Sequence, residues 1–491
     1  MTAPDVRDGV PVYGNFINGQ WESAGDTFDN INPSKVDEVV SHHGKGSSDD
    51  VKRAVDAASE AFQSWRRMGA VERANILYRA ADLLAERAQE IGRDLTREEG
   101  KTIKEGIGET MRASGIMRYY AGEVLQPNGE HYPSANFNTM LYTMREPLGV
   151  VGMITPWNFP IAIPAWKIAP ALAFGNTVVI KPASASPLCA AHLMQVLKDA
   201  GVPDGVVNYV TGSAGEVGDA LVDDERVIAL SFTGSEEVGR KIYARASSRG
   251  AKVQLELGGK NPAIVLADAD MNHAAQQVIN GAIMSTGQKC TATSRAIVDR
   301  KIASDFTKLL EEKLANIVVG DPLADTSTIG PLIDMASAER VAAEVASAKD
   351  AGANHVMGGD RPDALKHGAF VTPALFTGVS SDSRLGQEEL FGPVLGVIEV
   401  DDMDESLAVA NSVRYGLSAS IFTRDLGKAM RFAREIQAGM VHINSETAGA
   451  EYQLPFGGYK SSSSYSREQG KAARDFYTQI KTVFMDEPPT A

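Results

Sequence analysis

The chain has 491 residues, 43% hydrophobic and 23% charged, with 48 Lys+Arg against 63 Asp+Glu and a net charge of −15. That length exceeds one ordinary core and predicts roughly two or three domains, and the composition is that of a soluble globular protein. The acidic balance excludes sequence-independent nucleic-acid binding, which needs a basic face; having only two cysteines, Cys189 and Cys290, excludes a disulfide framework and predicts a reducing, cytoplasmic setting.

Met1 to Val10 holds no apolar run of the secretory kind. Ser47-Ser48-Asp49-Asp50 reads as a helix start, and Val51, Val55, Ala58 and Phe62 then repeat at helical spacing. A second helical run is expected over about Ala70 to Arg97, and both read as scaffold. From Leu148 to Ile180 the only charge is Lys167, but Pro156, Pro160, Pro164 and Pro170 interrupt the apolar run, with Asn158 and Asn176 adding polarity. The segment reads as a buried strand-loop-helix-strand unit and not as a membrane span.

From residue 149 strands and helices alternate. Strands are predicted at Val150–Thr155, Thr177–Lys181, Val206–Val210, Val227–Phe232 and Lys252–Leu257. Between them lie a helix opened by Ser186-Pro187 and closed by Gly201, then helices at Gly215–Val222 and Glu236–Ala246. This is the pattern of a parallel α/β sheet with right-handed crossovers, in which ligands bind beyond the carboxyl ends of the strands. Lys181, Thr233-Gly234-Ser235 and Glu256 all fall at such ends. A second α/β series runs from Ala263 to about Ile443, with strands Ala263–Leu266, Val394–Val400 and Ala419–Phe422 and helices Ile302–Asn316 and Ala338–Ala351. Ser461–Ser464 is a short Ser run, and Glu487 to Ala491 reads as frayed.

Chemistry gathers at a few positions. Cys290, in Gly287-Gln288-Lys289-Cys290-Thr291, and Glu256, in Leu255-Glu256-Leu257-Gly258-Gly259, sit in Gly-flanked segments. A thiol attacks a carbonyl and a carboxylate activates water, so the pair suits acyl chemistry. Asn158 lies between Pro156-Trp157 and Phe159-Pro160, a stiff setting for an oxyanion donor or for a buried turn amide. Gly234-Ser235-Glu236-Glu237-Val238-Gly239 at a helix start favours a phosphate, though it is not the dinucleotide fingerprint, and an ordinary Ser-capped turn explains it equally well. Lys181, before Pro182-Ala183-Ser184, reaches either a cofactor or solvent. Cys189 reads as a core thiol, and the scattered His residues predict no metal.

Together these segments resemble the aldehyde dehydrogenase superfamily over nearly the whole chain. The runs that carry the likeness are Pro156-Trp157-Asn158-Phe159-Pro160, Lys181-Pro182-Ala183, Phe232-Thr233-Gly234-Ser235, Leu255-Glu256-Leu257-Gly258-Gly259-Lys260, Gly287-Gln288-Lys289-Cys290, Glu389-Leu390-Phe391-Gly392-Pro393 and Pro455-Phe456-Gly457-Gly458-Tyr459-Lys460. The resemblance implies an α/β fold with a Rossmann-type cofactor domain (1–130 and 149–257), an α/β catalytic domain (258–456), and a β oligomerisation arm and tail (131–148 and 457–491) giving dimers or tetramers. It implies Cys290 as nucleophile, Glu256 as general base, and the Asn158 amide with the Cys290 N–H as oxyanion donors. Thr155, Pro156, Trp157, Gly215, Thr233, Gly234 and Leu257 would border the cofactor. Lys181 and Ser184 would hold its adenine-side ribose, Ser235 the pyrophosphate and Glu389 the nicotinamide ribose, with Phe391 packed nearby. The implied reaction is hydrolytic oxidation of an aldehyde through a Cys290 thioester, since relatives that pass the acyl group to coenzyme A generally lack the Glu256 base.

Ser184 stands where NAD-preferring relatives often carry Glu, so a 2′-phosphate beside Lys181 meets no repulsion; the expectation is NADP as the preferred cofactor, with NAD as the alternative. Ser285 to Arg295, Asn444 to Glu451, and the Ser run with one extra residue before Arg467-Glu468 resemble the bacterial 2-oxoglutarate semialdehyde (2,5-dioxopentanoate) dehydrogenase subgroup. The alternatives are succinate semialdehyde, a broad range of aliphatic aldehydes, or an inactive structural relative. Lys289 and the donors around Ser445 to Thr447 are both candidates for the substrate carboxylate.

Overall fold

The computed structural model describes residues 5–488. The expectations for Met1–Val10 and Glu487–Ala491 therefore fall, at 1–4 and 489–491, outside the described residues.

Two seven-stranded sheets dominate. The first has the order Lys252–Glu256, Val227–Thr233, Val150–Ile154, Thr177–Lys181, Val207–Tyr209, Phe16–Ile17, Gln20–Trp21. Its first five strands run parallel. Val150–Ile154 and Thr177–Lys181 are buried almost throughout, which is why they read as unbroken apolar runs instead of alternating ones. The chain winds outward from Val150–Ile154 in one direction, then returns to its other side with Val227–Thr233. That reversal opens a crevice at the strand ends, the usual ligand site of a doubly wound sheet. The second sheet has the order Asn354–Met357, Ala374–Thr377, Val394–Val400, Thr293–Asp299, Asn261–Val265, Ser418–Phe422, Met440–Ile443. A third sheet pairs Thr139–Pro147 with Thr478–Asp486 along its full length, with His131–Tyr132 on the far edge.

The 148–180 segment forms strand, helix Ala162–Ala173 and strand, the helix buried at every residue. Among the described residues no helix is long and apolar enough to cross a membrane.

Three local outcomes differ from the sequence expectations. The run from Ala70 is two helices, Ala70–Glu86 and Ala88–Glu99, parted at Arg87, whose φ is −95° and ψ 7°. Leu84, Ala88 and Ile91 are all buried across the break, so periodicity cannot register it. The helix expected at Gly215–Val222 begins as a π-helical turn, Ala214–Gly218, before Asp219–Asp223. A helix at Ile103–Glu123, unmarked above, is opened by a capping box between Thr102 and Glu105. That helix organises the site.

Candidate active site

Cys290 follows a turn in which Ser285 and Thr286 adopt φ 55° and 53°. Consecutive non-glycine residues in the left-handed region persist only where neighbours hold them. Glu105 does so: its Oε1 accepts the Ser285 N–H at 2.7 Å and the Ser285 hydroxyl at 3.1 Å. Gly287 comes next, at φ +67°, where an added Cβ would lie 2.4 Å from the Gly392 carbonyl oxygen.

Glu256 ends the strand Lys252–Glu256. A Cβ on Gly258 would lie 2.2 Å from Glu389 Oε2, and one on Gly259 would lie 2.5 Å from the Cys290 carbonyl oxygen. At Gly259 the neighbour is main chain, and only glycine permits that approach; at Gly258 a side chain would have to push the Glu389 carboxylate aside. Glu256 Oε2 accepts the Ser463 hydroxyl at 2.7 Å, while Oε1 is buried without a partner. Burial pushes this carboxyl well above the usual range; Glu468 raises it further, and Ser463, Lys167 and Arg467 oppose the shift. Glu468 in turn pairs with buried Lys167, which donates to Ser231 Oγ at 2.7 Å.

Asn158 Nδ2 donates to the Gln288 carbonyl at 2.9 Å, two residues before Cys290. A side-chain amide has two N–H donors, and the second remains for a ligand. The turn is clamped from behind. Lys101 Nζ donates to the Asn158 carbonyl, pairs with Glu109 Oε2 at 2.8 Å and sits 3.6 Å from the Phe159 ring centroid. Glu109 Oε1 accepts the Ile161 and Ala162 N–H groups, each at 3.1 Å, at the start of the next helix.

Cys290, Glu256 and Asn158 line one cavity of about 330 Å³. Cys290 is partly exposed, whereas Cys189 is buried and donates its N–H to Glu98 at 2.8 Å. Burial raises the Cys290 thiol's pKa above its ordinary value, with Glu389 and Glu256 adding to the shift. Pro156, Trp157, Thr233, Gly234, Ser235, Leu257, Glu389 and Phe391 border the same cavity; Phe159, Ile163, Trp166 and Phe456 form an apolar wall. Glu389 Oε1 accepts the Gly259 N–H at 3.0 Å, and burial pushes its carboxyl up to about 7. Phe391, at φ 53°, meets Trp157 edge-on at 5.3 Å.

Lys181, Ser184 and Gly215 are outside that cavity's lining, with Lys181 at the carboxyl end of its strand. Lys181 packs its stem near Gly218, donates to the Pro182 carbonyl at 3.2 Å, and is pushed down to about 8 by burial. Ser184 is exposed and donates to the Gly212 carbonyl at 3.3 Å. The crevice fits a dinucleotide on its own terms. Thr155 Oγ1 and Thr233 Oγ1 are buried without partners at the ends of the two strands where the winding reverses. Ser235 caps the helix Glu236–Ser248 without a side-chain bond, so that helix's first N–H groups are open to an anion.

Lys289 is absent from the cavity lining; its Nζ points to the Asn280 carbonyl at 3.4 Å. Thr447 donates its hydroxyl to the Thr291 carbonyl at 2.7 Å, leaving Ala448 and Ala450 to face the cavity. Sequence reasoning missed Lys101, Glu105, Glu109 and Arg112, although the Thr102-to-Glu105 capping box signals the helix that carries the last three. It also left Ser463 unassigned within the Ser run.

Residues 21–483 match the model of the aldehyde dehydrogenase family. The chain is 48% identical to alpha-ketoglutaric semialdehyde dehydrogenase of Bacillus subtilis (strain 168), covering 96% of this chain and 98% of that one. It is 41% identical to 2,5-dioxopentanoate dehydrogenase of Saccharolobus solfataricus, with 95% and 98% covered. The crystal structure of betaine aldehyde dehydrogenase from Staphylococcus aureus in complex with NAD+ superposes with a TM-score of 0.94 at 34% identity, covering 98% of this chain and 96% of that one. With a shared fold, a family match over most of its length and near-full-length relatives, this chain belongs to the aldehyde dehydrogenase family.

Proposed function

We propose that this NAD(P)-dependent aldehyde dehydrogenase oxidises 2-oxoglutarate semialdehyde to 2-oxoglutarate through a thioester on Cys290. One observation carries the chemistry: thiol, carboxylate and amide donor line a single cavity, with Glu256 Oε1 unpartnered in it. The names of the two semialdehyde dehydrogenase relatives support the substrate.

Cys290 attacks the aldehyde carbon, and the free Asn158 N–H and the Cys290 backbone N–H hold the oxyanion. Losing one such donor costs about 3–4 kcal/mol in comparable sites. The carbon attached to Cys290 must then lose hydride, and the chemistry that a bound nicotinamide would supply there is a hydride acceptor. Glu256 then takes a proton from water, which attacks the thioester and releases the acid. Glu389 holds the nicotinamide-side ribose, with Thr155, Pro156, Trp157, Gly215, Thr233, Gly234, Leu257 and Phe391 around the cofactor. The helix start at Ser235 holds the pyrophosphate, and Lys181 and Ser184 the adenine-side ribose.

NADP is the proposed preference. Ser184 puts an exposed hydroxyl, not a carboxylate, beside Lys181, whose ammonium has no ion pair among the described residues. Residues 1–130 and 149–257 form the proposed cofactor domain, 258–456 the catalytic domain, and 131–148 with 457–491 the arm and tail. Met140, Ile480 and Phe484 are exposed on the arm sheet, and the outermost strand Met440–Ile443 exposes Val441 and Ile443. A homodimer or homotetramer in which one copy's arm covers such an edge follows. Two unpaired cysteines support a cytoplasmic setting.

Steady-state kinetics on a panel of semialdehydes with NADP and NAD tests this. The highest kcat/KM is expected for 2-oxoglutarate semialdehyde with NADP. A preference for succinate semialdehyde or uncharged aliphatic aldehydes overturns the substrate, a strong NAD preference overturns the cofactor, and no oxidation of any aldehyde by folded protein leaves an inactive relative.

A further inference from the structure

The groups that perform acyl transfer leave the far end of a carboxylated substrate unaccounted for. A carboxylate entering an apolar cavity needs charge-assisted donors. Lys289 points elsewhere and the Thr447 hydroxyl is already bound to the Thr291 carbonyl.

Among the described residues lining the cavity, Arg112 is the only cation. It also lines a second, more open pocket, with Lys101, Glu105, Glu109, Glu451 and Tyr452. Its Nη2 is buried and has no hydrogen-bond partner. The helix Ile103–Glu123 explains why. Glu105, Glu109 and Arg112 fall on one face, at helical spacing. Glu105 supports the nucleophile loop through Ser285. Glu109, one turn before Arg112, has both oxygens committed, Oε1 to the Ile161 and Ala162 N–H groups and Oε2 to Lys101. Burial lowers the Arg112 pKa, and only longer-range attraction from Glu109, Glu451 and Tyr452 opposes that. A guanidinium cannot discharge at working pH. An unmet buried donor of this kind destabilises the fold unless a ligand satisfies it.

We propose that Arg112 is the residue that selects carboxylated aldehydes: its guanidinium holds the substrate carboxylate while Cys290 takes the aldehyde carbon in the same cavity. This rests on the semialdehyde reading given above. It separates acidic from neutral aldehydes and is indifferent to a difference of one methylene.

The test is the ratio of kcat/KM for 2-oxoglutarate semialdehyde to that for pentanal, which lacks the carboxylate. In Arg112→Met that ratio is expected to fall by about ten- to a hundredfold, mostly through KM of the acid, with Arg112→Lys falling less. A second readout needs no turnover: 2-oxoglutarate protects Cys290 from iodoacetamide in the unmodified chain, and Arg112→Met loses that protection. An unchanged ratio with protection intact overturns the role of Arg112 alone. If the unmodified chain itself shows no preference for the acid over pentanal, the semialdehyde reading falls, and this inference with it. Should Arg112→Met fail to fold, the ratio in Arg112→Lys decides, an unchanged ratio again overturning the role.

Discussion

Ser463 donates its hydroxyl to Glu256 Oε2 at 2.7 Å while accepting the Gly458 N–H at 2.6 Å. The hydroxyl is thereby aimed, and it is the only hydrogen-bond donor to Glu256's carboxylate among the described residues. The charged groups around that carboxylate are Glu468, Lys167 and Arg467, with the Cys290 thiol across the cavity.

Ser463→Ala removes a donor that favours the charged form, so the Glu256 pKa rises further. A general base acts deprotonated, and its activity is lost as pH falls through that pKa. The acid limb of the kcat profile therefore moves to higher pH, lowering kcat on that limb by on the order of tenfold. Ser463→Thr restores the position. An acid limb that stays put in Ser463→Ala, or moves the other way, defeats the assignment.

Asn158→Ala removes the proposed side-chain oxyanion donor. A loss of about 10²–10³ in kcat is expected, with KM little changed. The neighbouring anchor to the Gln288 carbonyl is lost too, so circular dichroism and a denaturant midpoint should accompany the kinetics. A variant that loses affinity but keeps its turnover rate would point to a binding role instead.

Lys101→Met leaves Glu99 and Glu109 buried without their cation. Breaking a buried pair from one side costs about 3–5 kcal/mol. The denaturant midpoint should drop accordingly, and adding Glu109→Gln to Lys101→Met should recover part of the loss. An unchanged midpoint in the single variant would mean the clamp contributes nothing to stability.

Thiol labelling separates the two cysteines. Cys290 reacts and Cys189 does not, because the first is partly exposed and the second buried. Burial, with Glu389 and Glu256, raises the Cys290 thiol, so its rate in cofactor-free protein increases with pH across the neutral and alkaline range. Mass spectrometry after timed alkylation checks both statements. Equal labelling of Cys189 would mean that the core around it opens.

The strand ends were legible because buried parallel strands are short apolar runs with polar residues just beyond them, as at Ile180-Lys181, Phe232-Thr233 and Leu255-Glu256. The break at Arg87 was not, since the apolar stripe passes straight through it. Nor was the work of the helix Ile103–Glu123. Its Glu105, Glu109 and Arg112 look like the solvated face of a surface helix, and only tertiary packing reveals that Ser285, the Ile161–Ala162 turn and the cavity lie opposite them. Ser463 was hidden by its own neighbours. Four consecutive serines are alike in sequence, and the bridge between Glu256 and Ser463 decides which one meets the carboxylate.

At Gly259 and Gly287 main chain meets main chain, at the Cys290 and Gly392 carbonyl oxygens, and this close approach seats the loop that carries the sulfur. No side chain acts as the spacer there. The wall made by Phe159, Ile163, Trp166 and Phe456 is built the opposite way, from bulky apolar residues. Lineages sharing this scaffold are therefore free to exchange the fuel they burn by editing that wall, while the seat of the sulfur stays locked in the backbone.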